Sequence, residues 1–349
     1  MKNPMTIPYK YINYILDEES SFELIKKSID SIFIEFYKLT GLTQNSKYHD
    51  HGTLLSNGEA LTPQTAAGCI YDYVRTAKYL RSVWKAVNNK KTGLVTGKVK
   101  ILYAGSGPFA SLLLPLLPLI SENEIEIDII DFHQGSIDAL NSLINYYDYQ
   151  NYFDKIIVGD ATKFQNADNK KYDIILTETM RNGLAIEPQV AITVHLLQFL
   201  ADAGILLPEK INITAVVADL QSELSTSKSK WKAFWFNIKK TQAVINRIVL
   251  GDVFVLDKNV RENYDFSDYD KNLINLKKIE VPKKLGRIKD LILLTTINIF
   301  DDITLKEEDN TGLTKIYFDQ NVGFLKGGEK LEFKYQLGSY PKIITEILE

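Results

Sequence analysis

Apolar residues recur along this chain in two rhythms, and the switch between them divides it. In residues 1–60 the rhythm is helical with polar faces, and aromatics cluster in Tyr9 to Tyr14 and in Ile32 to Tyr37 before a loop around Gln44 to Gly58. Thr62-Pro63 then starts a helix, a capping hydroxyl ahead of a proline in the first turn. Ile70, Tyr73, Val74, Ala77, Leu80, Trp84 and Val87 follow at helical spacing, with Asp72, Arg75 and Tyr79 on a neighbouring row. From Lys98 to about Leu220, strand-like runs alternate with helices. The series is VKILYA, a helix from about Ser111, IEIDIID, a helix over Gly135–Tyr147, KIIVGD, YDIILTE, a helix over Pro188–Leu200, and INITAVVADL. This alternation predicts an α/β fold with a doubly wound parallel sheet, whose ligands sit beyond the carboxyl ends of the strands.

After Asp219 the pattern changes. Ser/Lys-rich SELSTSKSKWK and Lys-rich KKIEVPKKLGRIK lead into the short alternating runs LILLTTINIF, LTKIYF and KLEFKYQL, with turns at Asp309-Asn310 and Gly327-Gly328. These predict an antiparallel β region. The expected organisation is a helical extension over 1–60, a ligand-binding α/β unit over 61–220 and a β-rich unit over 221–349.

Composition narrows the function classes. The 349 residues are 45% apolar and 24% charged, which excludes wholesale disorder. Lys+Arg 41 against Asp+Glu 44 leaves a net charge of -3, which speaks against a nucleic-acid partner. The lone Cys69 points to a reducing, cytoplasmic setting and, with no His/Cys/Asp cluster at ligand spacing, to no bound metal. No basic segment followed by an apolar one opens the chain. The uncharged run Ile101 to Ile120 carries glycines at a loop spacing and prolines, so it reads as a strand, a turn and a short apolar helix rather than a membrane span. The lysines of Lys228 to Lys240 and Lys277 to Lys289 read as solvated faces.

Candidate chemistry gathers at the strand exits. Gly105-Ser106-Gly107-Pro108-Phe109-Ala110 follows the first strand, where two glycines let the backbone approach a ligand; by itself this turn also fits a dinucleotide pattern. Asp131 ends the second strand, where an acid accepts both ribose hydroxyls of an adenosine, whether in NAD or in S-adenosylmethionine. Asp160 ends the third strand, placed either to reach an adenine or to cap the next helix. After the fourth strand, Glu178 and Glu187 flank a glycine-containing turn, a pair suited to gripping one cation by charge-assisted bonds. The plainer alternative makes Glu187 a helix cap and Glu178 a salt-bridge partner.

Three of these segments resemble the protein arginine methyltransferases, within the class I S-adenosylmethionine-dependent methyltransferases. Asp72-Tyr73-Val74-Arg75-Thr76-Ala77-Lys78-Tyr79 is similar to the family's D-x-V-R-T-x-x-Y helix. Glu178 to Glu187 has the spacing of its double-glutamate loop, including Met180, and Gly204-Ile205-Leu206-Leu207-Pro208 is similar to its G-x-[IL]-x-P run. The resemblance covers residues 65 to 220 well and the remainder in outline. It implies a Rossmann-like methyltransferase domain followed by a barrel-like β domain, and S-adenosyl-L-methionine as cofactor. By position, Arg75 pairs with the cofactor's carboxylate, Gly105 and Gly107 line its methionine portion, Asp131 holds the ribose and Asp160 lies near the adenine. Glu178 and Glu187 grip the acceptor's cationic nitrogen, and Met180 sits beside the transferred methyl. The implied partners are a peptide, protein or small-molecule acceptor with a basic nitrogen, and a second copy of the chain, with the polar stretch at about 221 to 285 as a contact arm.

The departures are specific. Tyr103 replaces the acid that usually ends the first strand, and Phe109-Ala110 follows Gly107-Pro108 where many members carry another glycine. The family's Thr-His-Trp loop has no counterpart, because His49, His51, His133 and His195 all precede residue 196. Three alternatives therefore stand beside an arginine-type acceptor: a tailoring methyltransferase with a non-arginine acceptor, an NAD-dependent oxidoreductase, and a catalytically silent binding module.

Overall fold

A computed structural model describes residues 7–42, 52–93, 97–223, 246–266, 273–318 and 322–348. His49, His51, much of the loop expected around Gln44 to Gly58 and the run Lys228 to Lys240 lie outside them.

Two helices open the described chain, α1 (Tyr9–Leu16) and α2 (Phe22–Thr40). Ser21 caps α2 by accepting from the Leu24 N–H, and Gly41 closes it in the left-handed region. A short hairpin follows, β1 (Thr53–Leu55) and β2 (Gly58–Ala60), then α3 (Pro63–Gly68), whose N-cap Thr62 accepts from the Thr65 N–H, as Thr62-Pro63 predicts. Next come α4 (Tyr73–Gly93), β3 (Val99–Ala104), β4 (Ile125–Asp131), α5 (Gln134–Tyr147), β5 (Phe153–Val158), β6 (Tyr172–Thr177), α6 (Gln189–Leu196) and β7 (Leu200–Leu207).

The five strands pair in the order β5-β4-β3-β6-β7, all parallel. Strand alternation sends Ile101 and Tyr103 of β3 into the core shared with α1, α2, α4 and α5, and sends Leu102 and Ala104 into the smaller core under α6. Both faces are covered, so the sheet is doubly wound. Two local expectations change. The run after β3 forms turns and a 3-10 helix, Leu114–Leu119, because Pro115 and Pro118 deny an α-helix its donors. The segment around Gly204 is itself a strand, β7, hidden in the pattern by the polar Asp202.

INITAVVADL does not extend the parallel sheet. It forms β8 (Lys210–Ala218), which pairs antiparallel with β9 (Ile248–Asp257) and β11 (Asp290–Phe300). Strands β10 (Leu273–Glu280), β12 (Ile303–Leu305), β13 (Tyr317–Phe318), β14 (Lys330–Gln336) and β15 (Lys342–Leu348) complete the β region. Its sheets run β12-β11-β8-β9, with β13 on β11, and β10-β14-β15. They pack together where Phe254 stacks on Tyr335, ring centroids 5.2 Å apart.

Helix α4 ties the regions together. Arg81 donates to the carbonyls of Ile15 and Asp17, Lys78 donates to the Thr304 carbonyl and pairs with Asp309, and Asp72 accepts the Gly312 N–H at 2.7 Å. The opening helices sit behind the glycine turn, where Phe33, Phe36 and Tyr37 surround Phe109. Among the described residues, no helix is long and apolar enough to cross a membrane.

Candidate active site

A cavity of about 710 Å³ opens at the carboxyl ends of β3, β4, β5 and β6, where a doubly wound sheet leaves its crevice. Every candidate residue read from the sequence lines it: Arg75, Gly105, Gly107, Asp131, Asp160, Glu178, Met180 and Glu187.

One end is built around Asp131. Its carboxylate accepts the Gly107 N–H at 2.8 Å and the His133 N–H at 3.0 Å, and it is 8% exposed. Burial pushes its pKa up, with the His133 and Gly107 N–H groups pulling the other way. Gly105 and Gly107 hold φ of 73° and 61°, conformations glycine adopts without strain, and a Cβ on Gly105 would collide with the Thr179 side chain. Asp160 also behaves as an ordinary cap, accepting the Thr162 N–H at 2.9 Å.

The other end is the loop from Glu178 to Glu187, anchored at its start by Gln189, whose side-chain carbonyl accepts the Thr179 N–H at 2.8 Å. Its two carboxylates are not equivalent. Glu178 forms a buried ion pair with Arg75, their side chains 5% and 8% exposed. Arg75 also donates to the Cys69 carbonyl, and its Nε is buried without a partner among the described residues. Glu187 is 7% exposed, and no hydrogen bond reaches its carboxylate among the described residues. Burial pushes it up to about 7, with Arg181 and then Arg75 pulling it down and Glu59 pushing it further up.

The loop is held in a strained shape by the β region. Leu184 and Ile186 have φ of 54° and 72°, and a β-branched residue in that region is a true outlier. Tyr335 donates to the Leu184 carbonyl at 2.7 Å, Thr295 accepts the Gly183 N–H at 2.9 Å, and Pro341 accepts the Ile186 N–H at 2.7 Å. From the other side, the Glu59 N–H reaches the Ile186 carbonyl at 2.9 Å, so the β1–β2 hairpin roofs the same loop. Gly183, at φ 71°, lies against Tyr317, 2.8 Å from where a Cβ would stand. Gly183→Ala is therefore expected to cost about 1–3 kcal/mol of stability, read as a lowered urea midpoint; an unchanged midpoint would show that the loop yields freely.

Sequence reading missed the contributions that arrive from far along the chain. Glu59 of the hairpin, Cys69, and Gly312, Leu313 and Lys315 of the β region all line the cavity, and none belongs to a local motif. His133 lines it too, its ring 3.5 Å from the Ala60 carbonyl, whereas His195 donates to the Phe164 carbonyl outside this cavity.

Comparison with solved structures places this architecture. The chain is similar to the Trypanosoma brucei PRMT1 enzyme-prozyme heterotetrameric complex with AdoHcy, at 14% identity over 80% of this chain and 91% of that one, with a TM-score of 0.51. The fold is that of the arginine methyltransferases. Arabidopsis thaliana protein arginine methyltransferase 10, in a uniquely open conformation, matches at 12% identity over 78% of this chain and 86% of that one, with a TM-score of 0.49. No protein-family model and no curated protein matches the chain. This arginine methyltransferase fold accounts for the parallel sheet followed by a β-rich region.

Proposed function

We propose that the protein is an S-adenosylmethionine-dependent N-methyltransferase acting on a basic nitrogen. One observation carries this reading: a single cavity joins the Gly105, Gly107 and Asp131 cradle to a buried, unpartnered carboxylate, Glu187, with Met180 in its wall. The likeness of fold supports it, as does the AdoHcy in the Trypanosoma brucei complex.

The residues fit the cofactor. At Gly105 a Cβ would collide with the Thr179 side chain, so only bare backbone stands there, Asp131 places a carboxylate in the same cavity, and the unpartnered Arg75 Nε is a donor for a carboxylate. In this reading Asp131 accepts the ribose hydroxyls, Asp160 borders the adenine, Gly105 and Gly107 admit the methionine portion, and Arg75 anchors its carboxylate. When bound, the cofactor supplies an electrophilic sulfonium methyl. The protein's part is alignment and proton handling. Glu178, paired with Arg75, holds the acceptor nitrogen in place, while Glu187 takes the proton that the nitrogen releases. Unequal surroundings thus divide two chemically identical side chains into an electrostatic anchor and a base. Met180 packs beside the methyl.

Titration calorimetry tests the reading. S-adenosylhomocysteine is expected to bind more tightly than NAD, and radiolabelled methyl to move from S-adenosylmethionine to a guanidino or amino compound. Preferential binding of NAD would overturn it. A cytoplasmic setting and a homodimer belong to the same proposal; light scattering showing only monomer removes the second.

A further inference from the structure

We propose that the acceptor carries an acid group close to its basic nitrogen, and that Arg181 and Lys315 receive that acid at the rim of the cavity. The inference rests on the methyltransferase reading and refines its substrate class.

Arg181 and Lys315 both line the cavity and both are exposed. Among the described residues neither has an ion-pair partner. They come from distant parts of the chain, yet the fold brings both to the wall of one cavity. The Asn182 side chain donates to the Ile316 carbonyl at 3.3 Å, and the next residues, Gly183 and Tyr317, lie in contact. Arg181 and Lys315 precede those two pairs, so they emerge together where the double-glutamate loop meets the β region.

The other charges of the cavity are already committed. Arg75 is paired with Glu178. Asp72 accepts the N–H groups of Gly312 and Arg75, and Glu59 accepts that of Gly52 at 2.6 Å. Asp131 and Asp160 accept backbone N–H groups at the far end. What remains is one buried carboxylate, Glu187, and two exposed cations in the same cavity, and of the surrounding charges Arg181 acts most strongly on Glu187. Two like charges held together favour an anion between them, and they repel a second cation. A ligand with its basic nitrogen on Glu187 and a carboxylate on Arg181 and Lys315 satisfies all three groups. A purely basic acceptor places a cation against the rim.

The carboxylate has two sources, a free amino acid or an acidic residue beside the methylated one in a peptide. Calorimetry on the full chain saturated with S-adenosylhomocysteine separates them. The probes are L-arginine against L-argininamide, L-lysine against L-lysinamide, and end-blocked Gly-Arg-Asp-Gly against Gly-Arg-Lys-Gly. The acid-bearing member of at least one pair is expected to bind about 10- to 100-fold more tightly, the effect of one charge-assisted contact. Arg181→Glu and Lys315→Glu are each expected to erase or invert that preference while leaving the affinity for S-adenosylhomocysteine unchanged, which also reports correct folding. Equal or tighter binding of the neutral and basic members overturns the proposal, as does a preference that survives both charge reversals, or no binding of any acid-bearing probe. If S-adenosylhomocysteine itself fails to bind, the methyltransferase reading falls instead, and the same pairs on the ligand-free protein still decide the acid preference.

Discussion

Asp131→Ala is expected to weaken S-adenosylhomocysteine binding by about 100-fold or more. A carboxylate taking two hydroxyl donors contributes roughly 1.5–3 kcal/mol for each, and about 3 kcal/mol is already more than 100-fold in affinity. The variant loses a second function as well. Asp131 holds the Gly107 N–H at 2.8 Å and the His133 N–H at 3.0 Å, so its removal frees both walls of the cradle. Asp131→Asn separates the two effects, because the amide keeps one acceptor for the backbone while losing the charge. Calorimetry on the three proteins reads the order wild type, Asn, Ala. An alanine variant that binds as tightly as wild type would remove Asp131 from the cofactor site.

Glu187→Gln is expected to lower kcat by about 100- to 10,000-fold, the range for losing a positioned proton acceptor. Cofactor affinity should hold, since glutamine keeps the shape of the side chain. The same substitution has a consequence for stability, of opposite sign. Burial lifts the Glu187 carboxyl to about 7 from its ordinary 4.5, so the folded protein binds that proton more tightly than the unfolded chain does. Stability from this group is therefore greatest below 4.5, declines as pH rises to about 7, and stays low above it. Uncharged glutamine escapes the decline. At pH 8 the variant is expected to be more stable by roughly 3 kcal/mol, with the difference closing toward pH 4.5. Urea unfolding at the two pH values reads this directly, and the wild-type kcat profile should show an acid limb near 7 that the variant lacks. Equal stability at both pH values would mean that Glu187 titrates as an exposed acid.

These outcomes depend on an asymmetry that the spacing of Glu178 and Glu187 does not reveal. The plainer reading of the sequence describes part of it, although Glu187 does not cap α6, whose N-cap is Pro188 with no side-chain cap hydrogen bond. Glu178 is a salt-bridge partner, as the plainer alternative has it, and its partner is the same Arg75 that the family resemblance assigns to the cofactor. The glycine turn and Asp131 were legible because strand, turn and acid follow one another at short range, and the doubly wound sheet fixes where such loops point. The β region was legible only in outline. Alternation showed β11 and β14 as strands, but not that β8 leaves the parallel run to pair with β9 and β11. Apolar residues fill β8 whichever partner it takes, so the pattern is silent about direction.

Periodicity and short spacings by themselves determined the α/β sheet, the crevice at its carboxyl edge and the residues that border it, since each depends on neighbours within a turn or a strand. The tertiary structure alone decided how those residues differ. It brought Arg75 to Glu178, left Glu187 buried without a hydrogen-bond partner among the described residues, clamped the strained Ile186 between the hairpin and the β region, and brought Lys315 and Arg181 to one cavity. Each of these depends on elements that meet only after folding, where burial and the nearest charge, rather than residue type, set what a side chain can do.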